Sequence, residues 1–201
     1  MLSLSTPAIL VAARPHGETA VIARMLTAEH GLLAAYVAGG RGRHLRPVVI
    51  PGNLVAMNLS ARSESQLPFA RLELIESRAP WAAEPLPAAA IGWATALTAT
   101  VLPERNPYPA LHDALDALLR AICHAGSARD WLRGLIAYEA LMLRELGYGG
   151  APPPGEAGLE TLLEILAGQG PPIARYLLAG RPGDVMAARE MLVQRLRRIV
   201  E

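Results

Sequence analysis

The sequence predicts an α+β multidomain protein: an N-terminal five-stranded OB-fold β-barrel followed by an all-α helical domain. Three observations carry that expectation. Short β-branched or alternating apolar segments, separated by polar, Gly-bearing turns, crowd the first 80 residues. Beyond "RAPWAAEPLP" at 78–87 the apolar spacing becomes helical. The charge divides at the same place. Residues 1–80 hold eight arginines against five acidic residues, whereas 81–201 hold eleven against thirteen.

The elements follow in order. Residues 8–13 (AILVAA) form a short apolar run, and 19–27 (TAVIARMLT) are rich in β-branched side chains. After the turn signal "EHG" comes 32–38 (LLAAYVA). Residues 52–60 (GNLVAMNLS) and 69–76 (FARLELIE) alternate apolar and polar, the pattern of half-buried strands. Five such strands suggest a small closed barrel. The OB-fold is the commonest of these with a nucleic-acid role, and an SH3-like barrel fits the same pattern.

The stretch 78–87 reads as a linker, and 86–102 as a buried helix. In 108–125, Leu111, Leu115, Leu118, Leu119 and Ile122 recur at helical spacing. Ser127 followed by Asp130 forms a capping-box-like start for the next helix, which stops at Gly147. "GGAPPPGEAG" at 149–158 reads as a flexible break, with shorter helical pieces near 159–167, 171–179 and 183–200. The expected domains are therefore 1–80 and 81–201.

Composition excludes several classes. Of 201 residues, 52% are hydrophobic and the net charge is +1. All 19 basic residues are arginines, so a Walker-type loop, which needs Lys, is ruled out. Gly40-Arg41-Gly42 followed by Leu45 lacks the third glycine of the dinucleotide fingerprint. Neither His-Glu-x-x-His nor Gly-x-Ser-x-Gly occurs. The single cysteine, Cys123, sits on an apolar helical face and reads as a buried small hydrophobe. No signal-peptide pattern opens the chain, and Ala88 to Leu102 falls short of the roughly 20 residues of a membrane span. These readings predict a cytoplasmic protein that is not an enzyme and uses no cofactor or metal.

"VAGGRGRHLRP" at 37–47 packs Arg41, Arg43, His44 and Arg46 around three glycines. A guanidinium is planar, always charged and able to hold phosphate with two hydrogen bonds. With Arg14, Arg24, Arg62 and Arg71 these residues form the candidate nucleic-acid contacts. Tyr36 and Phe69 are the only Phe, Tyr or Trp of residues 1–80, so arginine is expected to carry most of the affinity. From charge alone, a solvated barrel surface remains the alternative. Glu18 lies between Arg14 and Arg24 in the turn "RPHGET". Its carboxylate is expected to fix that turn.

The run "AILVAARPHGETAVIARMLTAEHGLLAAYVAGG" resembles the opening of the bacterial RecO family of recombination mediators and strand-annealing proteins. The matching positions are Arg14, Gly17, Glu18, Thr19, Thr27, Glu29, Gly31, Val37 and Gly40. "PGNLVAMNL" is similar to the family's next strand, and "LRGLIAYEALMLRELGYG" to its helix ending in Leu-Gly-Tyr. The resemblance covers 1–150 well and 151–201 loosely.

It implies a DNA-repair protein that binds single- and double-stranded DNA. Such a protein anneals complementary strands coated by single-strand-binding protein and helps to load the recombinase, together with a RecR-type partner. Residues 37–47 would then be a flexible, phosphate-gripping loop between the third and fourth strands. The helical domain would serve protein partners. The acidic tail of single-strand-binding protein ends in an apolar residue, so its receptor needs Arg beside a hydrophobic groove. Arg120, Arg129, Arg133 and Arg144 are the candidates.

Three departures accompany the resemblance. The family's Lys-Gly-Ala-Arg loop has Gly39, Arg41 and Gly42 at its Lys, Ala and Arg positions here. The four-cysteine zinc site of many members is replaced by "GGAPPPGEAG", so no zinc is expected. A Leu-x-Ser-Arg tail is absent from "REMLVQRLRRIVE". The alternative function is an OB-fold module for RNA binding or protein interaction, unrelated to recombination.

Overall fold

The computed structural model describes residues 2–63, 66–181 and 183–199. The chain divides into two compact units. The first takes in Met1–Ala83 with Leu102–Pro109, and the second Glu84–Val101 with Ala110–Glu201.

The first unit is a barrel of β1 (Leu2–His16), β2 (Ala20–Thr27), β3 (Gly31–Val37), β4 (Leu54–Ala61) and β5 (Phe69–Glu76). The sheet order is β1-β2-β3-β5-β4, closed by the pairing of β4 with β1. Every neighbour is antiparallel except β3 and β5, which run parallel and meet at Tyr36 and Phe69. This order, with one parallel seam, is the OB arrangement that the strand pattern suggests.

The first strand is 15 residues long, far beyond the apolar run at 8–13. Its first half pairs with β4 and its second half with β2, and the register shifts between Leu10 and Ala12. The bulge bends one strand around two partners. Only the middle of such a strand is fully enclosed: Ala8 to Val11 are buried without a break, and Ala12 and Ala13, the rest of the apolar run, are half-buried.

Inward positions alternate with outward ones. Leu10, Met25, Ala35, Val55 and Met57 are fully buried at the barrel centre, with Val21, Val37 and Leu72 beside them. Each fully buried Leu, Met or Val side chain contributes about 1.5–3 kcal/mol relative to exposure. The turn after β2 is held by Thr27, whose hydroxyl donates to the Gly31 carbonyl at 3.0 Å and accepts from the His30 amide at 3.0 Å. Gly31 has φ +67, and a Cβ there would lie 2.1 Å from the Asn106 carbonyl oxygen. Asn106 belongs to the segment 102–109, which returns to the barrel and bonds Arg105 N to Leu32 O at 2.9 Å.

The expected linker holds a short helix, α1 (Ala79–Ala82), preceded by a buried arginine. Arg78 donates its backbone amide to Asn53 Oδ1 at 2.8 Å and its guanidinium to the Gly52 carbonyl. Asn53 in turn donates to the carbonyls of Pro47 and Val48 at 2.9 and 3.0 Å. One arginine of the basic excess is thereby committed to the fold.

The second unit contains α2 (Pro85–Val101), α3 (Pro109–His124), α4 (Ala128–Glu145), α5 (Leu159–Pro172) and α6 (Val185–Arg197). α2 is buried along much of its length; its Thr95 and Thr98 hydroxyls are satisfied by the carbonyls of Ile91 and Ala94. The Ser127–Asp130 box forms, with the Ser127 amide donating to Asp130 Oδ2 at 3.1 Å. Gly147 closes α4 with φ +87. The stretch 149–158 contains no helix or strand.

A separate helix over 171–179 does not form. α5 runs through Pro171 and Pro172 into a π-helical turn at Ile173–Leu177, where Leu178 N bonds Ile173 O at 3.1 Å. The two prolines supply no N–H to the helix ladder, and the chain widens just after them.

A buried charge network links four of these helices. Glu139 accepts from Trp93 Nε1 at 2.8 Å and from Arg189 Nε and Nη2 at 2.9 and 2.8 Å. Arg189 also donates to the Leu166 carbonyl. Burial pushes the Glu139 carboxyl above the usual carboxylate range, while the bonds from Arg189 and Trp93 pull it back.

Candidate nucleic-acid interface

The connection from β3 to β4 is wound. Arg46 N bonds Gly42 O at 2.9 Å, Val48 N bonds Leu45 O at 2.9 Å, and Val49 N bonds Leu45 O at 3.0 Å. Leu45, Val48 and Val49 pack against the barrel core. Seating Leu45 inward turns its neighbours outward, so Arg43, His44 and Arg46 are exposed together with Arg41. The expected flexible arm is instead a plug seated on the barrel, with its cations on the outer side. Gly40 is required by the close approach to β2, because a Cβ there would lie 2.6 Å from Val21 Cγ2.

The four side chains are not equivalent. Arg41 N donates to the Thr19 carbonyl at 2.9 Å. Its guanidinium reaches the carbonyls of Gly17 and Glu18 at 3.4 and 3.1 Å. Arg41 thus ties the plug to the β1–β2 turn. The Glu18 carboxylate is exposed and makes no hydrogen bond or ion pair among the described residues. The turn is held through Glu18's main-chain carbonyl, not through the carboxylate as expected.

The other candidates spread over the outer barrel. Arg14 is exposed on β1, opposite Ile22. Arg24 is half-buried and ion-paired to Glu104 at 3.2 Å, which offsets its charge. Arg71 is exposed on β5, opposite Asn58. Arg62 is exposed just past β4, beside a cavity that Phe69 also lines.

The register brings together residues that sequence spacing left apart. Arg14, Ile22, Tyr36, Phe69 and Ser60 are successive cross-strand partners over β1, β2, β3, β5 and β4. None of the five is buried. The Tyr36 ring meets Phe69 edge-on at 5.2 Å and His16 edge-on at 5.8 Å. The sequence shows both aromatics but not their contact; the alternation of β5, with Ala70 and Leu72 inward, is the signal that turns Phe69 outward.

The four helical arginines do not form one cluster. Arg120 is exposed on α3 and bonded to Asp116 at 2.8 Å. Arg133 donates to the carbonyls of Pro154 and Ala157 and so ties the 149–158 stretch to α4. Arg129 is exposed on the same first turns of α4 and shares a cavity with Arg133 and Glu156. Arg144 is exposed at the other end of α4, on the rim of an apolar groove lined by Leu118, Ala121, Ala137 and Leu141. At 1.5 Å per residue, Arg129 and Arg144 lie about 22 Å apart along the helix.

Both units have counterparts among known proteins. Residues 1–78 match the family model described as Recombination protein O N terminal, and residues 85–150 match Recombination protein O C terminal. The chain belongs to the recombination protein O family. The DNA repair protein RecO of Rhodospirillum centenum is 43% identical over 143 residues, covering 71% of this chain and 56% of that protein. The RecO of Phenylobacterium zucineum is 39% identical over 143 residues, covering 71% of this chain and 58% of that protein. That of Rhodospirillum rubrum is 39% identical over 152 residues, covering 74% and 60%. The chain thus spans a little over half the length of the curated RecO relatives it matches. Both of its recombination protein O segments include structural devices described above. The Thr27–Gly31 turn and the β3–β4 plug lie in the first, and the capped α4 ending at Gly147 in the second. α5 and α6 lie outside both. Among the described residues no helix is long and apolar enough to cross a membrane.

Proposed function

We propose that this chain is a non-catalytic, DNA-binding recombination mediator in DNA repair. The observation that carries the reading is the set of exposed arginines on an OB barrel in a member of the recombination protein O family. Arg43, His44 and Arg46 on the plug, with Arg14, Arg62 and Arg71 on the strands, are the phosphate contacts. Arg41 positions the plug, and Arg24 contributes less because Glu104 pairs with it.

Each phosphate neutralised by arginine releases condensed counterions, which supplies affinity independent of sequence. Two strands held against the same cationic surface repel one another less. Annealing of single strands coated by single-strand-binding protein follows from that electrostatics. Double-stranded DNA is bound through the same phosphate contacts. The protein works with a RecR-type partner and serves recombinase loading indirectly, in the cytoplasm at the nucleoid.

For the acidic, apolar-ended tail of single-strand-binding protein, Arg144 beside the α3–α4 groove is the best-supported receptor. Arg120, Arg129 and Arg133 already hold or adjoin intramolecular partners. The test is retention of single-strand-binding protein by the immobilised chain, with and without its acidic tail, alongside an annealing assay on coated strands. Tail-dependent retention and accelerated annealing are expected. Absence of both would overturn the reading in favour of an unrelated interaction module.

A further inference from the structure

The aromatic row on the outer barrel extends the DNA-binding reading above, on which its role rests. Phe69 is 59% exposed, although its strand neighbours Ala70 and Leu72 are 7% and 5% exposed. It therefore adds little to the barrel core. A large aromatic ring left in water among arginines is the anatomy of a recognition surface.

Its surroundings are fixed. Tyr36 meets Phe69 at an interplanar angle of 71° and His16 at 89°. These edge-to-face contacts, favoured by the ring quadrupoles, hold the rings in place. The row is also flanked by cations. Arg14 lies in the same cross-strand row, Arg71 stands two residues along β5, and Arg62 lines the cavity beside Phe69 together with Ser60 and Leu67. The first acid along β5 after Phe69 is Glu73, roughly 13 Å away at strand rise.

We propose that His16, Tyr36 and Phe69 form a base-stacking platform for single-stranded DNA, with the Phe69 ring as its principal surface. A nucleobase in a duplex is covered on both faces by its neighbours and cannot stack on a protein ring. An unpaired base offers a free face, while Arg14, Arg62 and Arg71 hold the phosphates on either side. The platform makes the barrel distinguish single strands from duplex, which arginine contacts alone do not do.

The test compares the full chain with Phe69→Ala and Phe69→Trp on three probes: a short oligothymidylate, the same backbone lacking bases, and a duplex of equal length. Phe69→Ala should weaken oligothymidylate binding about tenfold, within the range for one base stack. It should leave binding of the baseless strand and the duplex, and the salt slope of binding, unchanged. Phe69→Trp should retain oligothymidylate binding. Full oligothymidylate affinity in Phe69→Ala, or equal loss on all three probes, overturns the platform while leaving DNA binding intact. Binding of none of the probes by the unaltered chain overturns the DNA-binding reading itself.

Discussion

The guanidinium of Arg41 donates to the main-chain carbonyl of Glu18 at 3.1 Å, joining the β3–β4 plug to the β1–β2 turn. Arg43 and Arg46, two and five residues farther on, are exposed and carry no such tie among the described residues. The double variant Arg43→Ala/Arg46→Ala should therefore weaken DNA binding for every sequence alike. Its salt slope should flatten by about 0.7–0.9 for each phosphate no longer neutralised. Its melting temperature should stay that of the unaltered chain. Arg41→Ala should cost about 1 kcal/mol of stability, because its hydrogen bonds to the turn disappear. Salt titrations and thermal melts on both variants separate the two roles.

Glu18 gives the converse case. Because its carboxylate has no partner among the described residues, Glu18→Ala should melt within about 0.5 kcal/mol of the unaltered chain. Removing a negative charge beside the arginine plug should tighten DNA binding modestly, more so at low salt. A clear loss of stability in this variant would show that the carboxylate holds the turn after all.

Among the barrel's glycines in the described residues, Gly31 is the one that a Cβ would crowd most. Its φ of +67 disfavours any side chain, and a Cβ would stand 2.1 Å from the Asn106 carbonyl oxygen. Gly31→Ala must displace the 102–109 segment from β3. The expected cost is about 3 kcal/mol, at the upper end for single substitutions. Chemical denaturation of the purified variant checks it.

The Glu139–Arg189 pair is buried, at 0% and 4% exposure. Removing either partner leaves the other charge without compensation, so Glu139→Ala and Arg189→Ala should each cost about 3–5 kcal/mol. The apolar double variant Glu139→Leu/Arg189→Met should recover much of that loss, because no buried charge remains. Denaturant unfolding of the three variants completes the cycle. Equal losses in the single and double variants would mean that packing around Trp93, not charge, governs the site.

Much of the architecture is local and so legible in the chain. The capping pair Ser127 and Asp130 and the C-terminal Gly147 each act within a few residues and form as the pattern predicts, and the alternation of "FARLELIE" holds from Phe69 to Glu73 before Leu74 and Ile75 are left exposed. The length of β1 was less legible, because its two ends face different partners and only its centre is apolar on both sides. The two prolines of α5 are visible in the sequence, but a proline marks a break and a widening alike, and only the structure shows the chain continuing into the π-helical turn.

The sequence by itself determined that a small β-barrel precedes helices, that its basic side chains are all arginines, and that the excess of arginine over acid lies in residues 1–80. Tertiary structure alone decided what each arginine does. Arg78 is buried against Gly52, Arg24 is paired with a glutamate 80 positions away, Arg41 ties two turns together, and Arg43 and Arg46 face solvent. It also decided that Tyr36 and Phe69, 33 residues apart in the chain, touch across the parallel seam. The physical reason is range. Propensity, capping and alternation act between neighbours in the chain, whereas ion pairing, burial and ring contact act between neighbours in space, and barrel closure sets which residues those are.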